Sequence, residues 1–279
     1  MQLALDVVSA IGILVIVVLG LAVVLGVLDV INLAHTGFMA VGVYTAVTAT
    51  EHGWSFWAAV VAAMVGSGMA GLVVEALVVR RLYARPLETI LASWGISLVI
   101  IQALTLGYGH NNQALVAPLT GAANVLGTPY PAYRLVVIAI AAALVAALAL
   151  LVRYTRVGLT VRMVQSNENL ARAVGIRVSL IRATTFVVGC AMAGLGGALL
   201  GPTQAINPNY AVSLVATAFL AVILAGRRLS GVVAACVILG SVQILFGRWA
   251  NPVYSSTVVI GIAVVLMRIR PEGLTWRRA

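Results

Sequence analysis

Two small groups of polar or aromatic side chains interrupt otherwise apolar stretches of this 279-residue sequence. Asn32 and His35 are three residues apart, so on a helix they would share one face. Ser93 and Trp94 stand beside Gly95 in a second stretch, where Trp94 could also serve only to pack. Polar groups are costly in an apolar medium unless they have partners. Each group therefore either lines a route for a polar molecule or bridges helices, and the residue types favour neither explanation for Asn32 and His35.

The acidic residues are few and poorly placed for proton-driven transport. A proton-coupled carrier usually needs carboxylates or histidines at mid-membrane depth, facing an internal path. Glu75 comes closest, about one helical turn from the end of an apolar stretch. Its neighbour Arg80 favours an interfacial ion pair instead. The remaining acidic residues fall in loops or at the ends of apolar stretches: Asp6, Asp29, Glu51, Glu88, Glu168 and Glu272.

Three further kinds of site are not expected from the composition. The three histidines are scattered and the two cysteines lie in apolar stretches, so no metal site is predicted. No serine can be paired with a base, so no catalytic residue is predicted. All 17 basic residues are arginine, which rules out a phosphate-loop, Schiff-base or cofactor-anchoring lysine. No cofactor is expected, and any ATP hydrolysis must take place on another chain.

A short helix suited to docking is predicted within the arginine-rich segment 153–182. Ser166 suits the cap position, Glu168 the positive N-terminal end and Gly175 a left-handed stop, which leaves about two turns. Three residues would form a small apolar ridge on this helix: Leu170, Ala171 and Val174. A groove in a partner protein could receive such a ridge. The alternative is an interfacial helix that rests on anionic lipid headgroups.

The apolar stretches that carry these residues are long enough to cross a membrane. The chain is 62% hydrophobic and 9% charged, with a mean hydropathy of +1.11, far from the balance of a soluble domain. A hydrocarbon layer of about 30 Å requires about twenty apolar residues in a helix. Nine segments are predicted: residues 7–28, 31–50, 54–79, 88–108, 134–152, 183–200, 211–226, 229–246 and 253–267. We therefore predict an all-α, polytopic membrane protein in which residues 1–279 form a single domain.

The second segment, 31–50, is the least regular of the nine. Asn32, His35, Gly37 and Gly42 interrupt it, so it could be a broken or partly re-entrant helix. The number of crossings is accordingly eight or nine. The first segment follows no basic residue and precedes no small-residue cleavage site, so we interpret it as a retained first helix.

Arginine placement predicts the orientation, because short cytoplasmic loops retain positive charge during insertion. With alternating loops, Arg134 and Arg248 fall on one side and the remaining fifteen of 17 arginines on the other. The C-terminus is then cytoplasmic and the N-terminus external. Two connections exceed a short helix hairpin: an uncharged external loop, 109–133, and the cytoplasmic segment 153–182. The net charge of +10 lies in short clusters between apolar runs, so nucleic-acid binding is not expected.

Small residues within the apolar segments predict close contacts between helices. One series recurs at every fourth position: Gly189, Ala193, Gly197 and Gly201. Cys190 and Cys236 both lie inside apolar runs, so we interpret them as small buried hydrophobes rather than as a disulfide framework.

Three segments together resemble the permease subunits of branched-chain amino-acid ABC importers, a family that includes urea and short-chain amide importers. The first signature of that family is similar to Ile31-Asn32-Leu33-Ala34-His35, followed by Phe38-Met39 and Gly42-Val43-Tyr44. Its ATPase-docking segment is similar to Thr155-Arg156-Val157-Gly158 through Ala173-Val174-Gly175-Ile176. The urea branch is most similar to Arg85-Pro86-Leu87-Glu88-Thr89-Ile90-Leu91-Ala92-Ser93-Trp94-Gly95-Ile96-Ser97-Leu98, with Asn111-Asn112 later.

Two segments depart from the pattern of this family. Thr36-Gly37 stands where the family usually has Gly-Glu, which removes a carboxylate near the expected pathway. The family has a glycine-rich turn where this chain has Ala225-Gly226-Arg227-Arg228-Leu229-Ser230-Gly231.

The resemblance implies a transport subunit of the bacterial inner membrane, without enzymatic activity of its own. An extracytoplasmic binding protein would deliver a branched-chain amino acid, urea or a short amide, two permease subunits would form the pathway, and two cytoplasmic ABC ATPases would drive it. The external loop could meet the binding protein. The residues implied for the pathway are Asn32, His35, Tyr44, Ser93 and Trp94. Those implied for ATPase coupling are Ser166, Asn167, Glu168, Leu170, Ala171, Val174 and Gly175.

A rival hypothesis is an ATP-independent channel or facilitator for a small polar solute. The polar residues of the second segment would then line a pore. Contact between the cytoplasmic helix and an ATPase distinguishes this class from an importer. A third class, a purely structural membrane subunit, would need no polar residues that face the interior of a helix bundle.

Overall fold

A computed structural model describes residues 1–83, 85–125, 127–226, 228–249 and 252–269 of the chain. The helices, in chain order, are α1 (Gln2–Leu28), α2 (His35–Glu51), α3 (Phe56–Val74), a π-helix (Glu75–Val79), α4 (Arg80–Leu82), α5 (Pro86–Tyr108), α6 (Ala132–Tyr154), α7 (Arg156–Ser166), α8 (Glu168–Ala173), α9 (Val178–Leu200), a 3-10 turn (Gly201–Thr203), α10 (Val212–Ala225), α11 (Leu229–Trp249) and α12 (Pro252–Ile269). Two strands, β1 (Ala122–Val125) and β2 (Thr128–Pro131), lie between α5 and α6.

Every apolar segment predicted from the sequence contains a helix, which confirms an all-α, polytopic membrane architecture. Six helices of the described residues are long and apolar enough to cross a membrane: Gln2–Leu28, Phe56–Leu82, Pro86–Tyr108, Ala132–Tyr154, Val178–Thr203 and Leu229–Trp249. Two shorter helices are also apolar: Val212–Ala225 and Thr257–Ile269. The number of crossings and the orientation stay predictions. Several arginines on which the orientation depends lie outside the described residues: Arg227, Arg270, Arg277 and Arg278.

The prediction of a break within the second helix is wrong, because α2 runs unbroken through Gly37 and Gly42 and the only irregular part of the segment precedes it. Helix α1 ends at Leu28 and α2 begins only at His35. Asp29 occupies the left-handed region with φ 56°, which ends the first helix. Asn32 therefore lies in a turn, and the prediction that Asn32 and His35 share a helix face is wrong. The physical reason is local, because the Asn32 side chain accepts a hydrogen bond from the backbone of Ala34 and so competes with helical pairing.

The connection between α5 and α6, predicted to be external, contains a β-hairpin that the sequence did not predict. Strand β1 pairs with β2 in antiparallel register, with Ala123 opposite Tyr130. Each strand has only four residues, and β2 carries two prolines, so neither shows the alternation by which strands are recognised. The Tyr130 hydroxyl donates to the Leu5 carbonyl at 3.2 Å and to the Asp6 carboxylate at 3.1 Å. The hairpin is thus fastened to the start of α1.

The chain divides into two compact units. The first comprises Met1–Ala22, Ala117–Val145 and the described residues of Ser213–Ala279. Within it, small residues bring helices together: a Cβ at Gly240 would lie 3.0 Å from the Ile11 side chain, and one at Gly12 would lie 3.5 Å from Ile138. The backbone at Gly226 has φ +68°, so the segment that departs from the family's glycine-rich turn still contains a left-handed glycine.

The second unit comprises Val23–Val116 and Ala146–Val212, and its centre is a three-helix contact. Helix α9 packs along both α2 and α3, as the small-residue series predicts. A Cβ on Gly197 would collide with the Met39 carbonyl of α2. The tightest approach also involves Gly194, which lies outside that series: a Cβ there would collide with Ser67 and with the Ala63 carbonyl.

Candidate functional site

The turn that precedes α2 is held by serines of α5. The hydroxyl oxygen of Ser93 accepts a hydrogen bond from the Leu33 backbone at 3.0 Å and donates to the Ile90 carbonyl at 2.8 Å. Ser93 is 2% exposed, so this hydroxyl replaces the helical partner that the turn denies to Leu33. Ser93 therefore has a defined bridging contact between α5 and the turn.

Asn32 has one polar atom to spare inside this turn. Its carbonyl oxygen accepts from the Ala34 backbone at 3.1 Å, and its side chain is buried. Its Nδ2 atom is buried without a hydrogen-bond partner among the described residues. A buried donor of this kind costs free energy until a partner arrives. Asn32 could therefore donate to a polar solute, and His35, fully buried at the first position of α2, adjoins it through a backbone bond of 3.3 Å.

The Thr36-Gly37 departure from the family pattern corresponds to a close contact between α2 and α5. The hydroxyl oxygens of Thr36 and Ser97 are 2.6 Å apart. A Cβ on Gly37 would lie 3.3 Å from Ile100 and from the backbone of Ser97, so glycine allows the helices to approach. The missing carboxylate is thus replaced by a neutral hydroxyl pair and by tight packing.

The other two expected pathway residues are separate from this turn. Tyr44 is buried further along α2, where its ring centre lies 4.6 Å from that of Tyr108. The Tyr44 hydroxyl is buried without a hydrogen-bond partner among the described residues. Trp94 is 55% exposed and does not share the buried position of Ser93. The structure therefore joins Asn32, His35 and Ser93 in one region, with Tyr44 and Trp94 elsewhere.

A cleft of about 560 Å³ at the other end of α5 carries further polar groups that the sequence analysis did not select. Its lining is uncharged and mixes amides with apolar surface: Leu98, Ile101, Gln102, Thr105, His110, Asn112, Asn207, Pro208 and Asn209. The two contributing loops are joined by backbone hydrogen bonds between Gln113 and Ile206 of 2.8 and 3.3 Å. Nearly a hundred residues separate these loops in sequence, so only the fold reveals the cleft.

The short helix predicted for docking, α8, begins one residue later than predicted. Ser166 is the last residue of α7, and its hydroxyl donates to the Met163 carbonyl. The cap is Asn167, whose side-chain oxygen accepts from the Leu170 backbone at 3.0 Å. Asparagine is a strong cap, and here it turns the chain between two helices, which no single-residue pattern reveals. Gly175 has φ +88°, which confirms the left-handed stop.

The predicted apolar ridge on α8 is correct at two of its three positions. Leu170 and Val174 are 54% and 65% exposed. Ala171 is fully buried against Val164 and Val178, so its assignment to the ridge is wrong. A helix turns about 100° per residue, which places Leu170 and Val174 on one face and rotates Ala171 towards the interior.

Charged contacts fix the start of α8 and the end of the span that contains α3. Glu168 accepts from Arg172 at 2.5 Å and from Arg182 at 2.6 Å. The predicted ion pair of Glu75 with Arg80 is confirmed at 2.9 Å. Within the described part of the chain, no group of three histidine, cysteine, aspartate or glutamate residues could hold a metal ion.

A family described as the permease component of branched-chain amino acid transport systems matches residues 3–267 of the chain. Similar proteins include the high-affinity branched-chain amino acid transport system permease protein LivH of Escherichia coli K12. LivH is 25% identical over 278 residues, which cover 94% of this chain and 90% of LivH. The corresponding permease protein BraD of Pseudomonas aeruginosa is 23% identical and covers 94% of this chain and 91% of its own.

A solved structure supports the fold. PsaBC from Streptococcus pneumoniae in complex with Fab superimposes with a TM-score of 0.52 at 12% identity. The match covers 98% of this chain and 93% of that chain. At this identity the likeness concerns the architecture alone.

Proposed function

Because this chain belongs to the family of permease components of branched-chain amino acid transport systems, we propose that it serves as one membrane-spanning subunit of an ATP-driven importer. Its partners are cytoplasmic ABC ATPase subunits, a second permease subunit and an extracytoplasmic solute-binding protein. The arginine distribution supports an external N-terminus and a cytoplasmic C-terminus. The permease itself makes or breaks no bond of the solute.

The exposed apolar pair on α8 is the observation that carries this proposal. Leu170 and Val174 stand out from a helix that is capped by Asn167 and anchored by the buried Ala171. A short helix anchored on one face and apolar on the other suits a groove in a partner. The chain contains no lysine, so the partner must supply the phosphate-loop lysine of an ATPase.

The solute is small, polar and without net charge. Both polar regions of the second unit fit such a solute: the turn around Asn32 offers an unused amide donor, and the cleft beside His110 is lined by neutral amides and hydroxyls. Sites for small molecules combine an apolar surface with a few polar groups, as this cleft does. A branched-chain amino acid is the first choice because relatives of this chain are branched-chain amino acid permeases by name. Urea or a short amide is the second, since residues 85–98 resemble the urea branch.

Uptake by the assembled complex decides between these solutes. Membrane vesicles that contain the permease, its ATPases and the binding protein are expected to accumulate labelled leucine in an ATP-dependent manner. Accumulation of labelled urea without leucine would transfer the assignment to the amide branch.

Replacement of Leu170 and Val174 by glutamate tests the importer itself. Burial of each side chain in a partner groove contributes about 1.5–3 kcal/mol before ordering costs, so two charges should strongly weaken docking. We expect the double variant to insert in the membrane but to lose ATPase co-purification and solute-stimulated ATP hydrolysis. A matched control places the same two charges in the loop predicted to be external, at Val116 and Leu119, which are 75% and 44% exposed.

The control variant is expected to keep the ATPase. Solute flux that survives loss of the ATPase would identify a channel or facilitator. Retained ATPase association in the Leu170→Glu, Val174→Glu variant would show that α8 is not the docking element.

A further inference from the structure

The span that contains α3 ends in a π-helical segment whose first residue is a buried carboxylate. Glu75 has no exposed surface on its side chain. A π-helical turn inside a helix is rare and often marks a functional position. A buried carboxylate requires charge-assisted partners. Arg80 donates to Glu75 through Nε at 3.3 Å and Nη2 at 2.9 Å, and the Tyr83 hydroxyl donates at 2.8 Å.

Tyr83 connects this carboxylate to a different helix. Its hydroxyl binds Glu75, while the Arg182 guanidinium lies 5.2 Å from the centre of its ring. That distance is within the range of a cation–π interaction. Burial and then the hydrogen bond to Glu75 raise the pKa of Tyr83 well above its ordinary value, so the hydroxyl keeps the proton that it donates. Tyr83 thus contacts Glu75 at one end and the α9 cation along its face.

Arg182 continues the contact to α8. Its Nη2 atom donates to Glu168 at 2.6 Å, and its side chain is only 17% exposed. Glu168 is the first residue of α8, where a carboxylate also complements the positive end of the helix. An unbroken series of side-chain contacts therefore runs from α8 through Arg182 and Tyr83 to Glu75.

This series is a direct side-chain route from α8 to the π-helical segment. The backbone joins α8 only to its chain neighbours, and Gly175 with φ +88° follows its C-cap Val174. Arg172, the other partner of Glu168, belongs to α8 itself and connects it to nothing further in this series. The series therefore provides a polar side-chain route between α8 and the end of the α3 span, beside the apolar packing of Ala171 against Val178.

We propose that Tyr83 and Arg182 are positioning residues that transmit displacement of α8 to the π-helical segment at Glu75. This inference rests on the proposed function, in which an ATPase displaces α8. It adds a named mechanical connection between the docking helix and a membrane span. Interruption of the connection at Tyr83 uncouples ATP hydrolysis from transport but leaves docking intact, because Tyr83 contacts Glu75 and Arg182 and not α8 itself.

The test uses the complete transport complex in proteoliposomes and two minimal variants. Tyr83→Phe removes only the hydroxyl, and Arg182→Gln removes the cation at similar size. Arg172→Gln is the matched control, since it removes the other partner of Glu168 without interrupting the series. For both minimal variants we expect solute transported per ATP to fall by about fivefold or more. For Tyr83→Phe, which does not touch α8, we also expect unchanged ATPase co-purification and basal hydrolysis. Arg172→Gln should transport nearly as much solute per ATP as the original protein.

Three further measurements separate this inference from the proposed function and from simple loss of folding. The double variant Tyr83→Phe, Arg182→Gln should be no worse than Arg182→Gln alone, because both changes break one series. Arg182→Lys should restore part of the ratio. In the full permease without ATPase, Tyr83→Phe should raise amide hydrogen exchange in the π-helical segment, so the connection is measurable even where the importer assignment fails.

Three results would overturn the proposed link. They are an unchanged transport ratio in both single variants, an equal loss in Arg172→Gln, and strictly additive effects in the double variant. The Leu170→Glu, Val174→Glu variant tests docking separately. Its loss of ATPase association would neither support nor contradict the link through Tyr83 and Arg182.

Discussion

Single residues set how closely the helices of the second unit approach one another. Gly194 of α9 lies against α2 and α3 at once: its position excludes a Cβ because of Ser67 and the Ala63 carbonyl. Ser67 is itself engaged, since its hydroxyl donates to the Phe38 carbonyl at 2.8 Å. A side chain at position 194 therefore displaces a hydrogen bond as well as a packed surface.

Gly194→Ala is expected to destabilise the protein, while Gly95→Ala is not. Overpacking at a tight contact costs about 1–3 kcal/mol. A Cβ on Gly95 meets nothing within 4 Å, and alanine is a better helix former, so that variant serves as the control. The thermal unfolding midpoint in detergent measures both. Equal midpoints for the two variants would contradict the contact described here.

At the same scale, the polar residues at the turn before α2 can be tested for a role in transport. Asn32→Ala removes the unused donor but also the hydrogen bond to the Ala34 backbone, and His35→Ala removes a fully buried ring. The double variant should assemble with its partners yet lose most ATP-driven uptake. Assembly is checked by co-purification and uptake with labelled solute. Normal uptake would assign both residues to a structural role.

Among the elements, α8 depends most on its ends. Six residues cannot form a stable helix alone, so the cap at Asn167, the carboxylate at Glu168 and the buried Ala171 must hold it. The neighbouring α7 ends at Ser166, and the two helices meet without a linker residue other than the cap. The direction of the exposed pair is therefore set by this junction.

Asn167→Ala is expected to weaken α8, whereas Ser166→Ala leaves it intact. Loss of an N-cap side chain costs about 0.5–2 kcal/mol. Amide hydrogen exchange of residues 168–174 should rise in the first variant, and ATPase binding should weaken with it. If Ser166→Ala had the larger effect, the cap would be Ser166, as the sequence alone suggested.

For the whole molecule, orientation is the property on which the proposed partners depend. Exposed positions exist on both predicted sides, Asn112 in the external loop and Ser166 in the cytoplasmic segment. Cys190 and Cys236 are fully buried, so they add little background to thiol labelling.

Single cysteines at Asn112 and Ser166 test this orientation in intact cells. An impermeant thiol reagent should label the cysteine at Asn112 and spare the one at Ser166 until the membrane is opened, because cytoplasmic loops keep their arginines. The protein with only Cys190 and Cys236 is the control. Labelling at Ser166 without labelling at Asn112 would reverse the topology and place α8 outside the cell.

The positions of the helices could be predicted from composition and period, because about twenty apolar residues in succession suit the membrane as a helix. The left-handed stop at Gly175 could likewise be predicted, since a residue without a Cβ adopts this conformation most easily. The ion pair of Glu75 with Arg80 was also predicted, because the two residues are close in sequence at the end of one apolar segment, where a carboxylate needs a charged partner. Each of these features depends on residues that are close together in the chain, so the sequence alone indicates it.

Contacts between distant segments were decided only by the tertiary structure. The cap at Asn167 and the inward turn of Ala171 depend on the angle between α7 and α8, and the bond from Leu33 to Ser93 joins residues sixty positions apart. The cleft beside His110 and the contact of Tyr83 with Arg182 likewise bring together segments that are distant in the chain. Such pairs leave no periodic signal, because packing selects them by shape and by unsatisfied hydrogen-bonding groups.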